Sequence, residues 1–427
     1  MIPAPVITRR PSPARRLGLA TLLALAGCGP AAETTPDLIL AHVTIIDGLG
    51  GAPTPGRTIE IRGGRITAIR AARPNETSEP AVAGHFVIPG LIDSHVHLGH
   101  HTTELASILD ALLRRGVTSV REMACCADRY PALDSQADST PTPRIFFSAF
   151  WADSNFFAVD PRVRTTPRAG KLPWFLGVDD STDLPAAIRA AKASGATGVK
   201  IYSNLPARLV SAITAEAHAQ GMRVWSHPVV FPTRPSLVVG AGVDVISHAS
   251  LLVWEGADTL PDDYDRGHPF NPFGPPAPYA SVPPDAPAVQ AVLTAMRERG
   301  TILDATVSTV RRSVSEAAFA WAVRVTADAH RMGIPLAAGT DQEPFVGGHP
   351  ALLAELEVLA TDVGLTPLEA LTTATRHGAR ALGLETSLGS IEVGKTADLV
   401  VLAGDPAQDV RHLREVVHVI KGGRLVR

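Results

Sequence analysis

Between Val87 and Gly383, short apolar runs alternate with longer amphipathic ones, and no other feature of the chain restricts its fold as tightly. The apolar runs read "VIPGLIDSHVH", "VTSVREM", "PRIFFSAF", "GVKIYS", "MRVWSH", "VDVISHAS", "TILDATV" and "IPLAAGTD". Helix-period stretches that close on glycine stand between them, among them "ELASILDALLRRG", "DLPAAIRAAKASG", "ARLVSAITAEAHAQG" and "PAVQAVLTAMRERG". Glycine just past the last periodic residue is a helix stop signal. Eight strands, each leading into helix, are the arithmetic of an α/β fold, a parallel (β/α)8 TIM barrel, here over residues 87–385.

The flanks follow a different pattern. Residues 38–86 open with short β-branched runs split by "DGLGG" and "RGGR" turns. Residues 386–427 hold "GSIEVGKTADLVVLAGD" and "VVHVIKGGRLVR", with the same "GGR" turn inside β-rich sequence. Hairpin chemistry at both ends predicts that the two segments pair into one small β-domain. Two long connections, 151–182 and 253–285, follow strands and therefore rise over the C-terminal face of the barrel, as lids or as surface insertions.

At the N-terminus, Arg9, Arg10, Arg15 and Arg16 precede "LGLATLLALAG", an apolar stretch too short to span a bilayer and typical of a signal peptide. "LAGC" then resembles the bacterial lipoprotein box. The expectation is removal of residues 1–27, a lipid on Cys28 and a tether over 28–37. That would hold the chain in the bacterial cell envelope, lipid-anchored or periplasmic, with the membrane touched only through the lipid. Ordinary cleavage nearby would leave Cys28 free. The other two cysteines, Cys125 and Cys126, are adjacent and form no disulfide framework; packed thiols are expected there rather than a strained vicinal bridge. A formal charge of −3 gives no nucleic-acid footprint. Nothing in the sequence sets an oligomeric state.

Polar residues recur at the strand ends. In a strand, alternate side chains share a face, so Asp93, His95 and His97 point the same way. Lys200 closes the fourth run, His227 the fifth, His248 the sixth and Asp341 the eighth. The C-terminal ends of barrel strands converge on one place. Four imidazoles and a carboxylate there suit zinc or another borderline divalent metal. A buried lysine among cations tends to lose its proton, and the neutral amine can take up CO2 to give an anionic carbamate able to bridge two metals. The alternative for Lys200 is a salt bridge to Asp341 or Glu122 beside a single metal. Tyr202 shares a strand face with Lys200 and serves either to stabilise a tetrahedral intermediate or as a packed ring. His100 and His101 read as loop residues, and Asp93 as a group that orients the strand end.

"PGLIDSHVHL", "GVKIY", "VWSH", "ISHA" and "AAGTD", in this order, resemble the amidohydrolase superfamily, and so does the tail "GLTPLEALTTATRHGARALGLETSLGSIEVGKTADLVVL". The resemblance covers residues 38–427. It implies a (β/α)8 barrel flanked by a β-sandwich from both chain ends. It implies His95, His97 and Asp341 on a first metal, His227 and His248 on a second, and carboxylated Lys200 between them. Lysine on the fourth strand resembles the prolidase-like and imidazolonepropionase-like branch. That branch brings its histidine-glycine segment sooner after the aspartate; here "GTDQEPFVGGHP" sets it later, and His349 is carried as a substrate contact.

The chemistry that follows is hydrolysis of an amide or peptide C–N bond, in a dipeptide or an N-acyl amino acid, by metal-activated hydroxide with Asp341 shuttling the proton. A mononuclear deaminase or cyclic-amide hydrolase of the same fold is the second reading. A ligand-binding envelope lipoprotein without catalysis is the third.

Overall fold

The computed structural model describes residues 35–78, 80–100, 104–124, 142–161, 163–263, 277–341 and 343–426. The expected leader, Cys28, His101, Cys125 and Cys126 lie outside the described residues.

All eight expected barrel strands form, in chain order: β1 Leu91–Val96, β2 Val117–Glu122, β3 Arg144–Asp153, β4 Gly198–Ile201, β5 Arg223–Ser226, β6 Val245–Ser247, β7 Ile302–Asp304 and β8 Leu336–Ala337. Each pairs in parallel with its sequence neighbour. Ser94 N donates to Ala338 O, and Asp341 N to His95 O, each at 2.9 Å, which joins β8 to β1 and closes the ring. The strands are buried on both faces, as a parallel sheet covered by helices requires.

The helices start and stop where local chemistry says they should. Asp183 accepts from Ala186 N at the head of Leu184–Ala193, and Thr366 with Glu369 makes a capping box before Pro367–Thr373. Pro287–Arg299 ends on Gly300 in the left-handed conformation and buries Val289, Val292, Leu293 and Met296, one face at helical spacing. Two short helices, Pro367–Thr373 and Arg376–Leu382, follow each other with a backbone turn at Thr375 between them.

The two chain ends meet in one seven-stranded sheet. Its central strand, Phe86–Pro89, pairs in parallel with Leu38–Ile45 and antiparallel with Leu399–Leu402. At the outer edge Ile66 N donates to Lys395 O, and Gly394 N to Ile66 O, so the sheet folds back over its own apolar side. That side holds Leu40, Val43, Ile59, Ile61, Val87, Leu399, Val401 and Ile420. Phe86–Pro89 runs through Gly90 directly into β1. Among the described residues no helix is long and apolar enough to cross a membrane.

The first long connection is ordered where it is described. Phe175–Val178 adds to β3 in parallel, Lys171–Leu172 pairs against it, and the helix Ser154–Val159 lays Phe156 and Phe157 on Phe150 and Phe175. In the second, a 3-10 helix spans Ala249–Gly256, and residues 264–276 lie outside the description.

Gly198 opens β4, the strand that carries Lys200. A Cβ there would lie 2.6 Å from the indole of Trp225, which is fully buried and pinned by Nε1 donating to Ala381 O at 3.0 Å. Gly198→Ala is expected to cost about 1–3 kcal/mol by overpacking, read as a lower thermal midpoint; an unchanged midpoint would mean the indole yields.

Candidate metal centre

The strand-end residues converge. His95 is fully buried. Its Nδ1 donates to Asp304 Oδ2 at 2.8 Å, which leaves the Nε2 lone pair facing inward. Lys200 Nζ sits 3.3 Å from that Nε2, and Asp341 Oδ1 is 3.6 Å away. His97 Nε2 meets the same Asp341 oxygen at 2.9 Å. Ligand atoms of His95, His97 and Asp341 all fall within 4.8 Å of one another. His248 Nδ1 is 3.6 Å from Asp341 Oδ2 and 2.9 Å from Thr306 Oγ1. The His248 ring lies 4.8 Å from the rings of both His95 and His227. Tyr202 stacks on His227 at 4.3 Å, and its ring lies 5.3 Å from Lys200 Nζ. His95, His97, Lys200, Tyr202, His227, His248 and Asp341 thus form one contiguous cluster at the mouth of the barrel.

His349 is not in it. The hairpin Phe345–Val346 with His349–Pro350 carries its side chain into a different pocket, beside Arg114, Arg115 and Arg414. His349, expected as a substrate contact, follows the left-handed turn at Gly347 and Gly348 and lines this second cavity. The salt-bridge alternative for Lys200 is not what the geometry gives, since its nearest polar partner is an imidazole nitrogen.

The electrostatics favour metal-ready protonation states. Burial, then the Lys200 charge, holds His95 well below the ordinary imidazole range, and burial lowers His248 to about 3. Burial works against ionisation of Asp341, but the imidazoles of His95, His248 and His97 more than offset it and hold its carboxyl well below the usual range. Burial brings Lys200 down to about 8. Neutral imidazoles, an ionised carboxylate and a deprotonatable lysine are the forms that bind metal. An inward lone pair on His95 Nε2 beside His97 Nε2 and Asp341 Oδ1 is a nitrogen–nitrogen–oxygen donor set that fits zinc-like ions.

Several supporting residues escaped the sequence. Asp304, at the end of β7, accepts not only from His95 but also from Arg121 Nη2 and Ser247 Oγ, each at 2.9 Å on the same oxygen. Arg121 from β2 lies flat against Trp225, 5.0 Å from the ring centre. A Cβ at Gly339 would sit 2.2 Å from Asp304 Oδ1, so only glycine lets β8 pass this close. The one available signal was position: Asp304 ends an apolar run as the ligand candidates do. Asp93 accepts from His95 N, Thr340 N and Thr340 Oγ1, tying the end of β1 to β8. Glu355 accepts from Val307 N at 2.9 Å and Ser308 N at 2.7 Å, fixing the loop whose Thr306 meets His248. His248, Thr306 and Asp341 have φ of 69°, 49° and 46°, so left-handed backbone recurs after β6, β7 and β8.

Comparisons with known proteins agree with this geometry. Residues 288–426 match the model of the amidohydrolase family. The imidazolonepropionase of Pseudomonas paraeruginosa is 40% identical over 99 residues, 20% of this chain and 25% of that protein. The ochratoxinase of Aspergillus niger is 36% identical over 118 residues, 25% of this chain and 24% of that protein. The match thus spans about a quarter of the length of these curated relatives. Among solved structures, a Xaa-Pro dipeptidase with bound methionine superposes over 91% of this chain and 98% of its own, with a TM-score of 0.66 and 22% identity. The A. niger ochratoxinase superposes over 91% of this chain and 94% of its own, at 0.68 and 20%. At these identities the structures speak to the fold.

Asp304→Asn should leave Arg121 buried without its counter-charge. We expect a loss of about 3–5 kcal/mol in denaturant unfolding, and metal affinity about 10–100-fold weaker because His95 loses its orienting acceptor. Burial also pushes the Glu355 carboxyl from 4.5 up to about 7. The folded state keeps that proton where the unfolded chain has released it, so its contribution is full below about 4.5 and is lost as pH rises through about 7. Relative to Glu355→Gln, wild-type protein should lose on the order of 3 kcal/mol across this window. Urea midpoints at about pH 4 and about pH 8 read it; parallel profiles would show an unperturbed carboxyl.

Proposed function

We propose that this chain, which belongs to the amidohydrolase superfamily, is a metal-dependent hydrolase of an amide or peptide C–N bond. The substrate class is a dipeptide or an N-acyl amino acid. The observation that carries this reading is the single cluster of four imidazoles, a lysine and an aspartate at the C-terminal mouth of a (β/α)8 barrel. In it His95, His97 and Asp341 would hold one divalent ion, His227 and His248 would hold a second, and Lys200, once carboxylated, would serve both; zinc suits the donor set. Ions bound there supply an acidified water and a polarised carbonyl. The chain's own groups do the rest. Asp341, ionised and partly open to the mouth, takes a proton and returns it to the leaving nitrogen. Asp304 keeps the His95 Nε2 lone pair turned inward. Tyr202, at the cluster wall against His227, is the donor for the developing oxyanion.

A mononuclear reading also has an observation behind it. Among the described residues, the histidine and carboxylate ligand atoms that fall within 4.8 Å of one another are those of His95, His97 and Asp341. A deaminase or cyclic-amide hydrolase would use such a site.

Elemental analysis of purified protein and of Lys200→Ala separates the two. About two zinc per chain, falling sharply in the mutant, supports the bridged pair; about one, unchanged, sinks it. Amine release from dipeptides and N-acyl amino acids should drop about 10²–10⁴-fold in Asp341→Asn. Ammonia release from an amidine or aminopurine-type substrate, with no peptide cleavage, would overturn the amide reading.

A further inference from the structure

A cavity of about 390 Å³ lies apart from the metal cluster and shares no lining residue with it. Three parts of the chain build it. Arg114 and Arg115 follow the helix Leu105–Leu113, His349 and Leu353 come from the segment beyond β8, and Leu413 and Arg414 precede the outer strand Val416–Lys421. Its volume falls within the roughly 300–1,000 Å³ of small-molecule sites.

The charges on its walls do not cancel. Arg114 is ion-paired with Asp110 at 2.8 Å, and Arg414 with Glu357. Arg115 is different. Its Nη1 donates to Ala111 O at 3.3 Å, its guanidinium lies 5.5 Å from the centre of the Phe345 ring, and no carboxylate pairs with it among the described residues. His349, half-buried opposite, likewise has no side-chain hydrogen bond among the described residues. Of the three guanidiniums, Arg115 is thus the one with no carboxylate partner among the described residues, and it shares the cavity with Leu353 and Leu413. A half-buried guanidinium without a counter-charge is costly, and its planar fork matches a carboxylate.

We infer that this cavity is a binding site for a small monocarboxylate with an apolar body. The carboxylate sits on Arg115 and His349, and the body lies on Leu353 and Leu413. A single guanidinium without a described carboxylate partner matches a monoanion rather than a phosphate dianion. The site rests on the same connection that begins at Asp341, so a bound carboxylate bears on the segment leading back to the metal cluster.

Phenylacetate is the probe, titrated calorimetrically against wild-type protein, Arg115→Gln, His349→Ala and Asp341→Asn. Saturable one-site binding is expected in the wild type and in Asp341→Asn, at least tenfold weaker in Arg115→Gln and in His349→Ala. Neutral phenylacetamide and inorganic phosphate should each bind at least tenfold more weakly than phenylacetate. The His349 variant keeps the test open if Arg115→Gln does not fold. The inference falls if no saturable binding is seen, if binding survives both pocket variants, or if phosphate binds as tightly. Binding lost in Asp341→Asn and kept in Arg115→Gln would put phenylacetate at the metal cluster and overturn the site without touching the hydrolase reading.

Discussion

One carboxylate oxygen, Asp304 Oδ2, holds the mouth of the barrel together. It accepts from His95 of β1, Arg121 of β2 and Ser247 of β6, while its own backbone belongs to β7. Four strands thus refer their ends to a single atom, in an interior where none of these side chains is exposed. A buried charge is tolerated only with partners of this quality. The Arg121 guanidinium balances the charge, and the imidazole and hydroxyl complete the contacts to Oδ2, while Oδ1 is buried without a hydrogen-bond partner among the described residues. With Nδ1 committed, His95 has one nitrogen left, and its direction is fixed. The ligand geometry is therefore a property of the barrel core and not of the loops above it.

The mouth carries strain that the core must offset. His248, Thr306 and Asp341 all sit in left-handed backbone, a conformation that costs a non-glycine residue on the order of 1–3 kcal/mol. Glu355 and Asp93 hold these turns from behind, the first through the amides of Val307 and Ser308, the second through Thr340. The extended apolar interior that runs from β1 to the last helices supplies the opposing stability. Strain placed where ligands project is what lets side chains leave the sheet direction and turn toward a common point.

Much of this could be read from the sequence because it depends on periodicity. Strand–helix alternation is local, so the eight strands and the convergence of His95, Lys200, His227, His248 and Asp341 follow from position alone. The hairpin signals at the two ends likewise foretold their meeting in one sheet. What the sequence hid depends on long-range contact. Asp304 and Arg121 lie 183 residues apart, and nothing local marks either as a partner. Glu355 looks like any helical glutamate until Val307 and Ser308 are seen to point at it. The place of His349 beside Arg114 and Arg115 was likewise hidden, because those residues lie more than two hundred positions away in the chain.

The strand Phe86–Pro89 has a bearing on how the molecule assembles. It pairs with Leu38–Ile45 on one side and with Leu399–Leu402 on the other, and it continues without a break into β1. Its second neighbour is made some three hundred residues later, so closure of this seam is a contact of high order that chain entropy makes late. During synthesis the strand leading to His95 and His97 stays half-paired until Leu399–Leu402 has emerged. Leu399–Leu402 completes the bracing of the first ligands, which couples competence of the centre to the arrival of a strand far downstream.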